Sequence, residues 1–295
     1  MDNAVGCLVG VAVGDAAGQT TDDTELTICL ARVESVAKQY SFWHAAGAFA
    51  GGNTCQTAFS VPLESDRAKW GDSGSQPSLA TRMRARSHRM SMESQANGAL
   101  MRVAPLAIWG HQLSPALLAE YAAADASLSH PNPTCGDCSA AYCLEVAHLI
   151  ARPGDAEGAL KSAEAWAQEH AGKEVQQWLL KDSHQPPDQL DCTASAGFLK
   201  HGFTLAFCHL RRRSPFEDGI LQTLCRGGDT DTNAAIVGGM LGALHGAAAI
   251  PAWMSQPVLE YEGREDQGGG TPRPRELRAS CLPDLAQQLF QLAGQ

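Results

Sequence analysis

Gly227-Gly-Asp-Thr-Asp-Thr-Asn-Ala-Ala-Ile-Val-Gly-Gly-Met-Leu-Gly-Ala-Leu-His245 sets two acidic residues in front of a run that stays uncharged from Asn233 to Ile250. A helix with no polar face belongs at the centre of a globule, buried on all sides. Gly238, Gly242 and Gly246 recur at four-residue spacing, so a second helix can approach closely. The run is nearly long enough to span a bilayer. Asp229 and Asp231 at one end, His245 inside it and no close Lys or Arg flank favour burial in protein instead.

The start of the chain repeats the theme. Ala4 to Val13 is apolar, and with no Lys or Arg before Arg32 it lacks the charged region of a signal peptide, so it reads as another core helix. Helical periodicity continues through Pro115 to Ala124, Ser139 to Ile150, Ala159 to Glu169, Ala196 to Leu210 and Phe216 to Leu224. Strand-like alternation is scarce and no internal repeat stands out. Pro131-Asn-Pro133, Pro153-Gly154 and Pro186-Pro187 mark turns, and 261–275 is polar, Gly/Pro-rich and read as a loose loop. The expectation is an all-α globule, with 1–295 forming a single domain.

Composition narrows the function. A net charge of −10 argues against binding a nucleic-acid backbone, and the basic runs Arg82 to Arg89 and Arg211 to Arg213 read as solvated helix faces or ends. Ten cysteines without framework spacing, in a chain too large to depend on disulfides, predict a reduced, cytoplasmic setting. Cys135-Gly-Asp-Cys138 lacks a second pair at zinc-finger spacing, so these thiols are expected to be buried packing groups.

Near the start lies a second acidic motif, Thr21-Asp22-Asp23-Thr24, ahead of the apolar positions Leu26, Cys29, Leu30 and Val33. Asp22 with Glu25 three residues later fits a capping box, and Asp231 before Asn233 fits a cap too. A cap needs one acceptor, however, whereas each motif brings two carboxylates within three residues. Four carboxylates with threonine hydroxyls are the ligands that Mg²⁺ or Mn²⁺ takes, whereas zinc prefers His and Cys. Asp229-Thr-Asp231 also suits the nucleophile motif of a dehalogenase-like phosphohydrolase. That motif follows a buried strand, whereas Leu221 to Arg226 continues a helix.

These pieces together resemble the ADP-ribosylglycohydrolase family, which includes the dinitrogenase-reductase-activating glycohydrolase and the ADP-ribosylarginine and ADP-ribosylserine hydrolases. The likeness runs from Gly6 to about Trp253 through Gly10-Val-Ala-Val-Gly-Asp-Ala-Ala-Gly18, Thr21-Asp-Asp-Thr-Glu25, Gly52-Asn53-Thr54, Asn97-Gly-Ala-Leu-Met-Arg-Val-Ala-Pro105, Ser129-His-Pro131 and Gly227 to Ala235, in the family's order.

The resemblance implies a compact multi-helix orthogonal bundle with two Mg²⁺ or Mn²⁺ ions between helices. Thr21, Asp22, Asp23, Asp229, Asp231 and Thr232 are the implied ligands, with Asp231 bridging. It implies hydrolysis of the bond from C1 of the distal ribose of ADP-ribose to an acceptor, such as a protein side chain, with catalysis assigned to Asp22, Asp23 and Asp231. Ser94, Gln95, Ala96, Asn97 and Gly98 resemble the loop whose amides meet the diphosphate, and His130 falls where the family has a ligand-contacting histidine. Membrane and nucleic-acid partners are not expected.

Some positions depart from the family pattern. A loop that often carries an active-site glutamate is absent, since Gly18 runs through Gln19 and Thr20 straight into Thr21. Ala96 stands where glycine is common, and Ala50 stands where arginine-specific members can carry aspartate. The missing glutamate gives a second reading: an ADP-ribose-binding protein with weak turnover. Without that glutamate, Asp22 or Asp23 is the expected base, Glu25 a helix cap and Glu93 the substitute acid/base to test.

Overall fold

The computed structural model describes residues 1–16, 22–31, 36–47, 51–61, 77–262 and 274–293. In chain order the helices are α1 (Asp2–Asp15), α2 (Asp22–Ala31), α3 (Val36–Ala45), α4 (Asn53–Phe59), α5 (Leu79–Ser91), α6 (Ala104–Trp109), α7 (Pro115–Ala126) and α8 (Pro133–Ala151). They continue with α9 (Ala156–His170), α10 (Lys173–Leu180), α11 (Leu199–Arg212), α12 (Phe216–Leu224), α13 (Thr230–His245), α14 (Ala252–Leu259) and α15 (Leu282–Leu292). Among the described residues there is no strand; the only extended pairing is one antiparallel bridge between Ala96 and Phe198. The all-α expectation holds. The phosphohydrolase reading fails because α12, not a strand, leads to Gly227.

At the centre, α1 and α13 form the most extensive helix pair. A methyl group on Gly10 would collide with the Gly238 carbonyl, and one on Gly238 with the Gly10 carbonyl, so the backbones touch where the sequence offers no side chain. Gly14 meets Ala234 at one end of this pair and Gly6 meets Gly242 at the other, so the helices run antiparallel. The carboxyl end of α1 therefore lies beside the amino end of α13. This crossing brings Asp15 to the acidic motif of Gly227 to Asn233.

The structure shifts several boundaries. α8 starts at Pro133 rather than Ser139, because Asn132 caps it by accepting the Thr134 amide N–H at 3.0 Å. Cys135, Cys138, Cys143 and His148 consequently share one helix. None of the ten cysteines forms a disulfide, and all but Cys225 and Cys281 are buried. α11 starts at Leu199 rather than Ala196, after Ser195 takes a left-handed φ of 54°. α13 stops at His245, short of Ile250, where Gly246 takes a φ of 82°.

The basic runs divide. Much of the α5 face is exposed, as the solvated-face reading expects. Arg211 instead pairs with Glu164 at 2.7 Å and donates to Ser183 Oγ and the Leu179 carbonyl, so it joins α9, α10 and α11. No helix among the described residues is long and apolar enough to cross a membrane. The loop expected at 261–275 falls largely on residues 263–273, outside the described residues.

Candidate functional site

Three helix ends carry the acidic residues. Asp15 closes α1, Asp22 and Asp23 open α2, and Asp229 and Asp231 flank the start of α13. The positive ends of the α2 and α13 dipoles partly offset the gathered negative charge. Thr232 Oγ1 donates to Asp23 Oδ2 at 3.2 Å, joining motifs separated by 209 positions. Thr24 donates to Asp15 Oδ2 through its hydroxyl at 2.5 Å and its amide at 3.2 Å.

The capping alternative separates the two residues of the second motif. Asp229 occupies the cap position of α13 yet makes no side-chain cap bond; its Oδ2 accepts from Asn97 Nδ2 at 2.7 Å. Asp231 Oδ1 accepts the Thr232 amide N–H at 3.0 Å, leaving Oδ2 for other contacts. Gly227 and Gly228, with φ of 71° and 73°, bring the backbone against the Cys192 carbonyl, where any side chain on Gly228 would collide.

Burial and mutual repulsion dominate the electrostatics. Burial, then Asp15, pushes Asp22 up to about 7, while the Gly52 backbone amide works against the rise. Asp23 is driven well above the usual carboxylate range by burial, then by Asp15, Asp22, Asp231 and Asp229. Asp229 rises to about 6, chiefly through burial, with the Asn97 hydrogen bond opposing. Gathered carboxylates at a cleft need a counter-charge.

That cleft has a volume of about 250 Å³. Asp22, Asp229, Asp231 and Thr232 line it together with Asn97, Gly98 and His130, and no Lys or Arg lines it among the described residues. Carboxylate and hydroxyl oxygens in a cleft lined by no side-chain cation suit a hard divalent ion, so this donor set fits Mg²⁺ or Mn²⁺. Among the described residues, no three His, Cys, Asp or Glu side chains already close into a single-ion cage. A neighbouring polar cavity of about 190 Å³ contrasts with the acidic cleft: Lys200 there is paired with Asp182 at 2.7 Å, and His201 bonds the Ala194 carbonyl at 2.8 Å.

Behind Gly98 and His130 sits a buried cation, Arg102. Its guanidinium meets Asp125 Oδ2 at 3.2 Å, the Tyr40 hydroxyl at 2.9 Å, the Gly98 carbonyl at 2.8 Å and Ser129 Oγ at 2.9 Å. Burial disfavours its charge, but Asp125 and Tyr40 outweigh that cost and raise its pKa. Tyr40 and Phe59 place their rings over it, 4.8 and 5.4 Å from the guanidinium carbon.

The residues singled out in the sequence fall in different places. Asp22, Ala96, Asn97, Gly98, His130, Asp229, Asp231 and Thr232 line the cleft. Asp23 is buried behind it, and Thr21 lies outside the described residues. Ser94 and Gln95 do not line the cleft: Ser94 Oγ meets Thr54 Oγ1 at 3.2 Å, and Gln95 reaches Thr134 and Glu174. Two of the loop's amides are already engaged, Ser94 N–H to Ser91 O and Asn97 N–H to Gly197 O, each at 3.0 Å.

Glu25 accepts the Trp43 indole N–H at 2.9 Å, a buried link between α2 and α3 that a capping role does not describe. Glu93 is exposed and outside the cleft. Phe198 is partly buried and packs edge-on against Trp178, centroids 5.5 Å apart. The sequence motifs contain Asp15 and Arg102 without indicating their roles; each shows there only as a lone charge in an apolar run.

An all-helical bundle whose helix ends gather carboxylates around one cleft is the class defined here, and the chain belongs to the ADP-ribosylglycohydrolase family, whose model matches residues 1–295. It is 25% identical over 273 residues to a protein of Acanthamoeba polyphaga mimivirus named as a candidate ADP-ribosyl glycohydrolase, covering 84% of this chain and 77% of that one. It is also 25% identical over 309 residues to the ADP-ribosyl-dinitrogen reductase glycohydrolase of Rhodospirillum rubrum, covering 88% and 92%. A solved ADP-ribosylglycohydrolase-related protein complex shares the fold with a TM-score of 0.71 at 20% identity, over 99% of this chain and 98% of that one.

Proposed function

We propose that this chain is a Mg²⁺- or Mn²⁺-dependent hydrolase that cleaves the bond between C1 of the distal ribose of ADP-ribose and an acceptor, releasing ADP-ribose. One observation carries the reading: two acidic motifs 209 positions apart meet at one cleft, joined by the Thr232–Asp23 hydrogen bond. Asp22, Asp23, Asp229, Asp231 and Thr232 are the described residues that would hold the ions. Two such ions would acidify the attacking water and offset the negative charge that develops on it as it loses its proton.

The remaining chemistry belongs to the chain. Asp22 faces the cleft, whereas Asp23 is 1% exposed and engaged with Thr232, so Asp22 is the better placed to take a proton from the attacking water. Asp23 positions Thr232. Asn97 holds Asp229, while Gly98 leaves room beside His130 for the ligand. A methyl group on Gly98 would stand 2.9 Å from both Cys55 Sγ and His130 Cε1.

A panel of defined ADP-ribosylated substrates, with arginine, serine and poly-ADP-ribose linkages, tests the proposal with each metal. Release of free ADP-ribose from at least one member is expected. ADP-ribose is expected to bind more tightly than AMP, which lacks the distal ribose. Tight ADP-ribose binding with no turnover across the panel would favour the binding-protein reading that the absent loop raises.

A further inference from the structure

The geometry points to a hydrogen-bond relay from Arg102 through Ser129 to His130 that fixes His130 as an Nε2–H donor into the cleft. Arg102 and Ser129 are then positioning residues for an oxygen acceptor on the bound ligand, an assignment that rests on the ADP-ribosyl reading of this cleft.

The direction of each bond follows from donor chemistry. Arginine donates and never accepts, so Ser129 Oγ, 2.9 Å from Arg102 Nη1, must accept there. Ser129 is fully buried, and its oxygen is also 2.8 Å from His130 Nδ1. If Nδ1 carried the proton, Ser129 Oγ would accept twice and its own hydrogen would be buried without an acceptor among the described residues. Leaving such a donor unpaired costs on the order of 1–3 kcal/mol. The arrangement that satisfies every group has Ser129 donating to Nδ1, which places the imidazole proton on Nε2.

Burial and the facing Arg102 charge lower His130 to about 3, so the ring is neutral and one nitrogen must accept. Nε2 has no protein partner among the described hydrogen bonds, and His130 lines the same cleft as Asp22, Asp229 and Asp231. Its Cε1 and Nε2 lie 2.9 and 3.2 Å from the position a Gly98 Cβ would occupy. Arg102 also fixes that rim, donating to the Gly98 carbonyl at 2.8 Å. A neutral N–H suits a ribose or phosphate oxygen, and it avoids the capture by acidic neighbours that an imidazolium would invite.

Nitrogen-15 NMR of the histidine side chains in the full chain with Mg²⁺ tests the relay, with His130 assigned by the signal lost in His130→Gln. The expected spectrum at neutral pH is that of the neutral Nε2–H tautomer; an Nδ1–H tautomer or an imidazolium would overturn the proposal. Ser129→Ala should shift His130 toward a tautomer mixture and weaken ADP-ribose binding about tenfold. Ser129→Thr, which keeps the hydroxyl, should restore both. Unchanged tautomer and affinity in Ser129→Ala would also overturn the relay, and if that variant does not fold, the unmodified protein's spectrum still decides. A protein with the expected tautomer but no affinity for ADP-ribose would undo the functional reading and leave the relay standing.

Discussion

Asn97 donates its side-chain amide to Asp229 across 2.7 Å, so the residue that opens the Gly98 wall also holds the carboxylate that opens α13. The segment proposed to bind the ligand and a carboxylate proposed to hold metal are thereby one mechanical unit.

Removing that donor should loosen both. Asn97→Ala leaves Asp229 without the hydrogen bond that opposes its pKa rise, so the carboxylate binds its proton more tightly and competes less well for a cation. The expected loss in Mg²⁺ affinity is about tenfold, the range seen when a partner that orients a metal ligand is deleted. Titration calorimetry checks this, and unchanged affinity would show that Asn97 does not position Asp229.

The pH dependence of the metal-free protein has a definite sign. Asp22 is lifted from an ordinary 3.8 to about 7, and Asp23 and Asp229 are raised as well. The folded state therefore holds more protons than the unfolded state across that window, and stability falls as pH rises through it. In EDTA, melting temperature should decline from pH 4 toward pH 7, and Asp22→Asn should flatten part of the decline. Mg²⁺ or Mn²⁺ should restore stability at pH 7 by binding only the folded state. A melting temperature insensitive to divalent ions at every pH would remove the metal from the proposal.

The sequence reveals those acidic groups because each pair sits within a short contiguous motif, and the four-residue spacing of Gly238, Gly242 and Gly246 discloses the close helix contact. Other features depend on distant partners. Arg102 reads as a stray charge in an apolar run until Tyr40, 62 positions away, and Asp125, 23 positions away, close around it. Asp15 likewise gains meaning only when the α1–α13 crossing brings it to the cluster. Ser94 and Gln95 share a loop with Gly98 in sequence, but they turn toward Thr54 and Glu174 because the Ala96–Phe198 bridge fixes the segment's orientation.

Glu145 offers a stability test away from the cleft. It is fully buried on α8, neither carboxyl oxygen has a hydrogen-bond partner among the described residues, and burial raises its pKa well above the usual range. The nearby Arg211 charge opposes that rise but is engaged by Glu164. Glu145→Met should stabilise the protein by about 1–3 kcal/mol, the cost of a buried unpaired polar group. The gain should be smallest at acidic pH and grow as pH rises, because the unfolded Glu145 ionises first. Chemical denaturation at pH 5 and pH 8 measures it, and a destabilised Glu145→Met at both would contradict the unpaired assignment.

If the glutamate-bearing loop implied by the family resemblance is absent, the proposed proton transfer falls to residues already at the cleft. Glu93 is exposed and outside it, and Glu25 is committed to Trp43 at 2.9 Å, so neither is placed to replace the missing acid/base. Glu93→Gln should keep nearly full turnover. Glu25→Gln retains an amide oxygen for the indole N–H and should keep most turnover. Asp22→Asn should abolish turnover by removing the base that faces the cleft, and Asp23→Asn, which keeps an oxygen for the Thr232 hydroxyl, should do so by removing a carboxylate charge proposed to hold the ions. Single-turnover rates and ADP-ribose affinities, measured together with Mg²⁺ present, separate chemistry from binding. Loss of turnover in Glu93→Gln alone, with metal and ADP-ribose binding intact, would show that an exposed glutamate swings into the cleft and that Asp22 is not the base.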